Sequence, residues 1–225
     1  MKDKTSGFKQ SMKGGILLIG LALGTSALAA DKRIGILVFD GVLSSDITAP
    51  IEVFGIASKQ SWFSDYETLI INVGNKSSVT TEEGIRLLVD AKLQDQPEVD
   101  VLLMPSSYDM DPLIENQALI SYIQNTAQNA EWLASNCSGA FVLAEAGVLE
   151  GKKATTWAGG ESDLAKAYPN INVQYDTNYV IDGNVITSNG SVVSYEAALA
   201  LLEEMSSKSR AEEVKTALQM QRAWK

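Results

Sequence analysis

The chain has 225 residues, which fits one domain or one with a small extra, and 45% hydrophobic with 20% charged residues excludes disorder, collagen-like repeats and a coiled-coil rod. Eighteen basic against 28 acidic residues leave a net charge of −10, a surface that repels phosphate backbones, so no nucleic-acid partner is expected. A single cysteine excludes an intrachain disulfide and a Cys-cluster metal site, and the lack of any histidine excludes Cys-His dyads, Ser-His-Asp triads and His-ligated zinc. The expectation is a protein with no metal and no cofactor.

Residues 1–29 read as a secretory signal peptide. Lys2, Lys4, Lys9 and Lys13 make a basic start, Ile16 to Leu23 an apolar core, and Ala27-Leu28-Ala29 a small-x-small cleavage pattern before Ala30. The alternative is a membrane anchor. The uncharged stretch from Gly14 to Ala30 is only 17 residues and holds glycines, Thr25 and Ser26, whereas a spanning helix wants about 20 apolar residues. Cleavage would leave residues 30–225 as a single periplasmic domain of net charge −13, with no stable membrane anchor.

Arg33 to Phe39 is an apolar run of strand length, and Asp46 to Lys59 reads as a helix with Pro50 in its first turn. Tyr66 to Val73 and Asp100 to Met104 are further strands, the latter stopped by Pro105. Asp111-Pro112 starts a helix that runs to about Gln128. Glu131 to Asn136 is a strand, Ser138 to Ala146 a helix, Ala154 to Trp157 a strand and Glu161 to Tyr168 a helix. Asn178 to Ser188 carries Asp182-Gly183, a two-residue hairpin signal, and two helices, about 191–206 and 210–223, close the chain. Apolar strands alternating with helices predict an α/β fold, doubly wound around a mostly parallel sheet with helices on both faces. Ligands then belong at the carboxyl ends of the strands.

The segment WLASNCSGAFVLAEAGVLEG, residues 132–151, concentrates the chemistry. A strand ends, Cys137 follows at once, and a helix opens with Gly139 and Ala140. This is the layout of a nucleophile elbow, in which a tight turn lifts the side chain above the sheet. The amides of the new helix are expected to hold an oxyanion or stabilise a thiolate. The competing reading is a buried structural cysteine. Asp46 reads either as a plain helix cap or as the acid of the site.

The stretch CSGAFVLAEAGVLEGKKATTW resembles the ThiJ/PfpI family of the class I glutamine-amidotransferase-like superfamily. It is most similar to the branch of isonitrile hydratases and the amidase-like domains of transcriptional regulators. That branch has Cys-Thr-Gly-Ala, a helix, then Gly, two basic residues and Ala-Thr-Thr. FDGVLSSDITAPIEVFGIA resembles the family's first strand-loop-helix, DVLLMPSS stands where the family has a strand and Pro-Gly-Gly, and VITSNGSVVSYEAALALLEE resembles its Thr-Ser-Ala-Gly turn and helix. The resemblance covers about residues 33–205 and implies a flavodoxin-like fold and a homodimer. Family glutaminases and proteases use a histidine that would fall after Ala-Thr-Thr, where this chain has Trp157. Amidotransferase and peptidase readings therefore lose their base. Isonitrile hydratases work with a cysteine, a neighbouring threonine and an aspartate, which match Cys137, Ser138 and Asp46.

The resemblance thus implies a catalytic set of Cys137, Asp46 and Ser138 acting on a small molecule. Ser106, Ser107, Gly139, Trp157, Ser188 and Asn189 are the candidates for substrate binding. An ionised carboxylate about 4 Å from a thiolate costs on the order of 4 kcal/mol at an effective dielectric near 20. A helix N-terminus returns only about 0.3–2 kcal/mol, so Cys137 and Asp46 are expected to share one proton and titrate as a unit. The alternatives are a non-catalytic binding or redox-sensing module, or a glyoxalase- or deglycase-like activity.

Overall fold

The computed structural model describes residues 32–60 and 66–223, so the signal segment expected at 1–29 lies outside the described residues. In chain order the first elements are β1 (Lys32–Val38), α1 (Ser44–Gln60), β2 (Tyr66–Asn72), β3 (Ser78–Thr80), β4 (Arg86–Leu88), β5 (Ala91–Lys92) and β6 (Val101–Met104). Then come α2 (Asp111–Ile114), α3 (Gln117–Thr126), β7 (Trp132–Asn136), α4 (Gly139–Glu145), β8 (Lys153–Ala154), α5 (Glu161–Ala167) and β9 (Asn172–Val173). The chain closes with β10 (Tyr179–Asp182), β11 (Val185–Ser188), α6 (Ser194–Met205), α7 (Lys208–Ala217) and α8 (Met220–Ala223).

Seven strands form the central sheet in the order β10-β11-β7-β6-β1-β2-β5. All neighbours run parallel except β10 and β11, which form the expected hairpin. Its two loop residues are Gly183 and Asn184, with positive φ at Gly183. The chain leaves β1 for β2 on one side and returns to β6 on the other, so a crevice opens at the carboxyl ends of β1, β6 and β7. Helices α1, α6 and α7 pack together, as do α2, α3 and α4. This is the flavodoxin-like, doubly wound α/β fold. Strands β6 and β11 are buried along their whole length, which is why DVLLM and VITS carry no alternation. Phe54, Ile34, Ile36, Leu102, Met104 and Leu143 are among the largest fully buried side chains.

Four expectations are corrected. Helix α1 begins at Ser44, so Pro50 falls in its second turn and leaves the Asp46 carbonyl without its helical donor. The helix expected from Asp111 to Gln128 is two helices, because the Asn116 side chain accepts from the amides of Ala118 and Leu119 and starts α3 afresh. The strand expected at Ala154–Trp157 is only Lys153–Ala154, paired with β9 outside the main sheet. Beyond it, the Thr155 amide bonds the Thr187 hydroxyl rather than a strand carbonyl. The closing helix breaks at Gln219, whose φ is +56°, into α7 and α8. The short β3–β4 hairpin and β5 are further elements that the apolar pattern did not announce.

Candidate active site

Cys137 follows β7 directly and has a φ of +51°. A side chain other than glycine is strained there, at a cost of order 1–3 kcal/mol, and persists only when its surroundings fix it. Here both backbone groups are fixed. The Cys137 amide donates to the Ser188 carbonyl at 2.9 Å, and the Thr156 hydroxyl donates to the Cys137 carbonyl at 2.8 Å. Gly139 completes the turn: a Cβ there would stand 2.2 Å from the Met104 carbonyl oxygen and 2.8 Å from that of Pro105. Only glycine lets α4 abut the end of β6 this closely.

Asp46 sits in the first turn of α1 and is fully buried. Its Oδ2 accepts from the Ser106 hydroxyl at 2.5 Å and the Ser106 amide at 3.2 Å. Its Oδ1 accepts from the Ser191 amide at 2.9 Å and the Ser194 hydroxyl at 3.2 Å. Among the described residues, all the hydrogen bonds to this carboxylate come from serines, and the Cys137 thiol is not among the donors. Gly190 packs against both groups: a Cβ there would lie 2.4 Å from Cys137 Cβ and 2.9 Å from Asp46 Oδ1. The backbone of Asp46 is held as firmly. Its carbonyl, freed by Pro50, accepts from Asn136 Nδ2 at 2.9 Å, while Asn136 Oδ1 accepts from the Ser188 hydroxyl at 2.6 Å. Ser188 Oγ in turn accepts from the Gly190 amide at 3.1 Å.

Burial pushes the Asp46 carboxyl up from its ordinary value, against the pull of its serine donors. Burial likewise pushes the Cys137 thiol up. The Ser106 hydroxyl works against this, the Asp46 charge adds to it, and Ser138 favours the thiolate weakly. This direction runs against the expectation of a thiolate stabilised by helix amides. Both groups thus hold a proton more tightly than they would in water.

A sequence pattern for the DJ-1/PfpI family matches residues 32–204. The chain belongs to the DJ-1/PfpI family. It is 31% identical over 174 residues to an isonitrile hydratase of Pseudomonas putida, a match spanning 77% of this chain and 72% of the relative. Its fold is shared by a ThiJ/PfpI family protein of Pseudomonas syringae, with a TM-score of 0.75, 22% identity and coverage of 91% and 81% of the two chains. Drosophila melanogaster DJ-1beta superposes with a TM-score of 0.74 at 22% identity, covering 84% of this chain and 97% of that one.

Around this DJ-1/PfpI elbow the remaining candidates divide. Ser138, nearly buried, donates its hydroxyl to the Ser107 carbonyl at 3.1 Å and so ties the elbow to the β6 loop. In that loop the Ser106 amide is taken by Asp46 and the Ser107 amide by Met110 Sδ at 3.2 Å. Neither points free as an oxyanion donor. Ser188 is fully buried with its hydroxyl committed to Asn136. Asn189 Nδ2 donates to the Thr156 carbonyl. Trp157 is half-buried and stacks on Phe141, ring centroids 5.4 Å apart, with the backbone of Gly160 pressed against its indole. In the chain it stands directly after Ala154, Thr155 and Thr156. Sequence reasoning missed Asn136, Thr156, Ser191 and Ser194. The one signal for the first was Pro50, which at i+4 strips the Asp46 carbonyl of its partner. Among the described residues, no group of three or more His, Cys, Asp or Glu side chains is placed to hold a metal. No described helix is long and apolar enough to cross a membrane.

Proposed function

We propose that this DJ-1/PfpI protein is a cysteine-dependent hydratase of small neutral molecules with an electrophilic carbon, of the isonitrile class. The observation that carries the reading is a strained elbow cysteine and a buried carboxylate packed against the same glycine, Gly190, with no histidine anywhere in the chain. An isonitrile needs a nucleophile and a single proton on the same carbon. Sulfur of Cys137 bonds to that carbon while the thiol proton, passed through Asp46, arrives on it, giving a thioimidate. Water then adds to the thioimidate carbon, with Asp46 taking one proton from it and the imine nitrogen gaining another. Breaking the carbon–sulfur bond releases the N-substituted formamide and returns the proton to Cys137. Every atom of the isonitrile and the water is retained in the product. Ser138 keeps the elbow in register with the β6 loop throughout.

Burial raises the proton affinity of Cys137 and so disfavours the thiolate that oxidants attack, which favours the hydratase over a redox sensor. The order of basic, apolar and small residues in 1–29 supports export to the periplasm, and family membership supports a homodimer. N-terminal sequencing of the exported protein should begin near Ala30, and light scattering should give twice the chain mass. For the activity itself, pure protein incubated with aliphatic and aromatic isonitriles should release the corresponding formamides, and Cys137→Ala should release none. A wild-type protein silent on all of them, or a Cys137→Ala variant that still turns over, overturns the hydratase.

A further inference from the structure

Cys137 holds a left-handed backbone, φ +51°, between β7 and α4, so something must oppose its return to the ordinary range. Three hydrogen bonds close a ring around it. The Cys137 amide donates to the Ser188 carbonyl at 2.9 Å. The next residue, Asn189, donates from Nδ2 to the Thr156 carbonyl at 2.5 Å. Thr156 donates from its hydroxyl to the Cys137 carbonyl at 2.8 Å, which closes the ring. The ring joins the end of β7, the turn after β11 and the stretch after β8. That stretch lies outside the strands and helices, so its carbonyls depend on side chains such as Asn189 for donors. One residue earlier, the Thr155 amide donates to the Thr187 hydroxyl at 2.8 Å and ties the same stretch to β11. Thr156 is fully buried, so water does not compete for its bonds. The Cys137 carbonyl also accepts from the Ala140 amide, but at 3.4 Å, and Thr156 supplies the shorter hold.

We infer that Thr156 and Asn189 are positioning residues that keep Cys137 in its strained conformation and so aim its sulfur. The inference rests on the reading of Cys137 as the nucleophile and adds what holds it in place. With the Cys137 amide anchored on Ser188, a change of φ carries the Cβ and the carbonyl together about the N–Cα bond. Fixing the carbonyl therefore fixes the Cβ that bears the sulfur. Thr156 fixes it directly, and Asn189 acts through Thr156 by holding that residue's own carbonyl. Relaxation of φ to the ordinary negative range would break the Thr156 bond and re-aim the sulfur relative to Asp46. Where the family's Thr-Ser-Ala-Gly turn has alanine, this chain has Asn189, a side chain able to donate across the turn.

The test is a double-mutant cycle read from urea midpoints, which needs no substrate. Alanine is strained at a left-handed φ and glycine is not. Both lack the sulfur, so their difference reads the backbone at position 137. Cys137→Gly should unfold at a higher urea midpoint than Cys137→Ala. Thr156→Val keeps the shape of the side chain and removes its hydroxyl. In that background the gap should close or reverse, because at an ordinary φ glycine only adds freedom to the unfolded chain. Thr156→Ser, which keeps the hydroxyl, should keep the gap. Asn189→Ala should also close it, and decides the matter if Thr156→Val does not fold. A Thr156 that merely stabilised the fold would lower both midpoints and leave the gap untouched. A gap as wide in either folded variant as in the parent protein, or no gap in the parent, overturns the inference. With Cys137 in place, Thr156→Val should lower kcat for isonitriles by about 10–10²-fold with KM little changed, the loss expected of a misaimed nucleophile. An unchanged kcat beside a closed gap overturns the positioning role. A closed gap in a protein whose wild type turns over no isonitrile overturns the hydratase and leaves the hold on Cys137 standing.

Discussion

Two polar networks meet at Asp46, one through its backbone and one through its side chain, and they are built to do different things. The backbone network runs from the Asp46 carbonyl through Asn136 and Ser188 to Gly190, and it contains no charged group. Every link is a neutral hydrogen bond between buried partners, so it responds to neither pH nor substrate. Its effect is to set α1, the end of β7 and the turn after β11 at fixed distances. The side-chain network holds the same residue's carboxylate with four donors in a buried site near a thiol. It stores a proton position rather than a distance. One residue thus separates scaffolding from chemistry, and the two roles should come apart under mutation.

The largest separation should come from Asp46→Asn. This change keeps the carbonyl that Asn136 holds and removes the charge. We expect isonitrile turnover to fall by roughly 10²–10⁴-fold, the usual loss when a general acid–base is removed, with the fold intact by circular dichroism. Unfolding of Asp46→Asn at ordinary temperature would show instead that the two networks are one.

Asn136→Ala should act the other way. It leaves the Asp46 carbonyl without a donor, since Pro50 offers none, and the Ser188 hydroxyl without its acceptor. Two stranded buried groups should lower stability by about 2–5 kcal/mol, read from the urea midpoint. A loss below about 1 kcal/mol would mean that the backbone network is ornamental.

The pH dependence sharpens the contrast. Asp46 has its proton affinity raised by burial above the ordinary value of 3.8. Between the unfolded and folded values the native protein keeps a proton that the unfolded chain has lost. Unfolding free energy from this group therefore falls as pH rises through that window. Asp40, held below the ordinary range by its hydrogen bond from Lys76, pulls with the opposite sign. The difference between wild type and Asp46→Asn isolates the buried group. Urea midpoints of the two proteins measured from about pH 3.5 upward should show wild type losing ground to the variant. Parallel curves would contradict the raised affinity.

The smallest effect should be that of Ser194→Ala. It removes one of two donors on Oδ1 and leaves the Ser191 amide there. We expect a stability change of no more than about 1.5 kcal/mol and turnover within severalfold of wild type. A loss as deep as that of Asp46→Asn would place Ser194 inside the proton path.

The elbow was legible before any coordinates because its signal is local. Cys137, Gly139 and the apolar run on either side are contiguous, and backbone sterics alone demand small residues after the nucleophile. The sheet was legible for the same reason, through uniformly apolar strands such as DVLLM. The surroundings of Asp46 were not. Ser106, Ser191 and Ser194 come from segments 60, 145 and 148 residues away from it, and a serine looks alike whether it caps a helix or cradles a carboxylate. The helix break at Asn116 turned on a side-chain hydrogen bond that competes with the backbone, and apolar periodicity does not register that. The burial that raises the proton affinity of Cys137 was not legible either, because helix amides are visible in a sequence and burial is not.

The central claim is that Cys137 and Asp46 hold one proton between them. Because the chain has a single cysteine, carbon-13 placed at cysteine Cβ gives one resonance whose shift follows the thiol through its titration. Wild-type protein should titrate above the ordinary thiol value of 9.0, and Asp46→Asn should titrate at lower pH than wild type. A thiol that titrates identically in the two proteins would show that the carboxylate does not act on it, and the paired-proton account would fall.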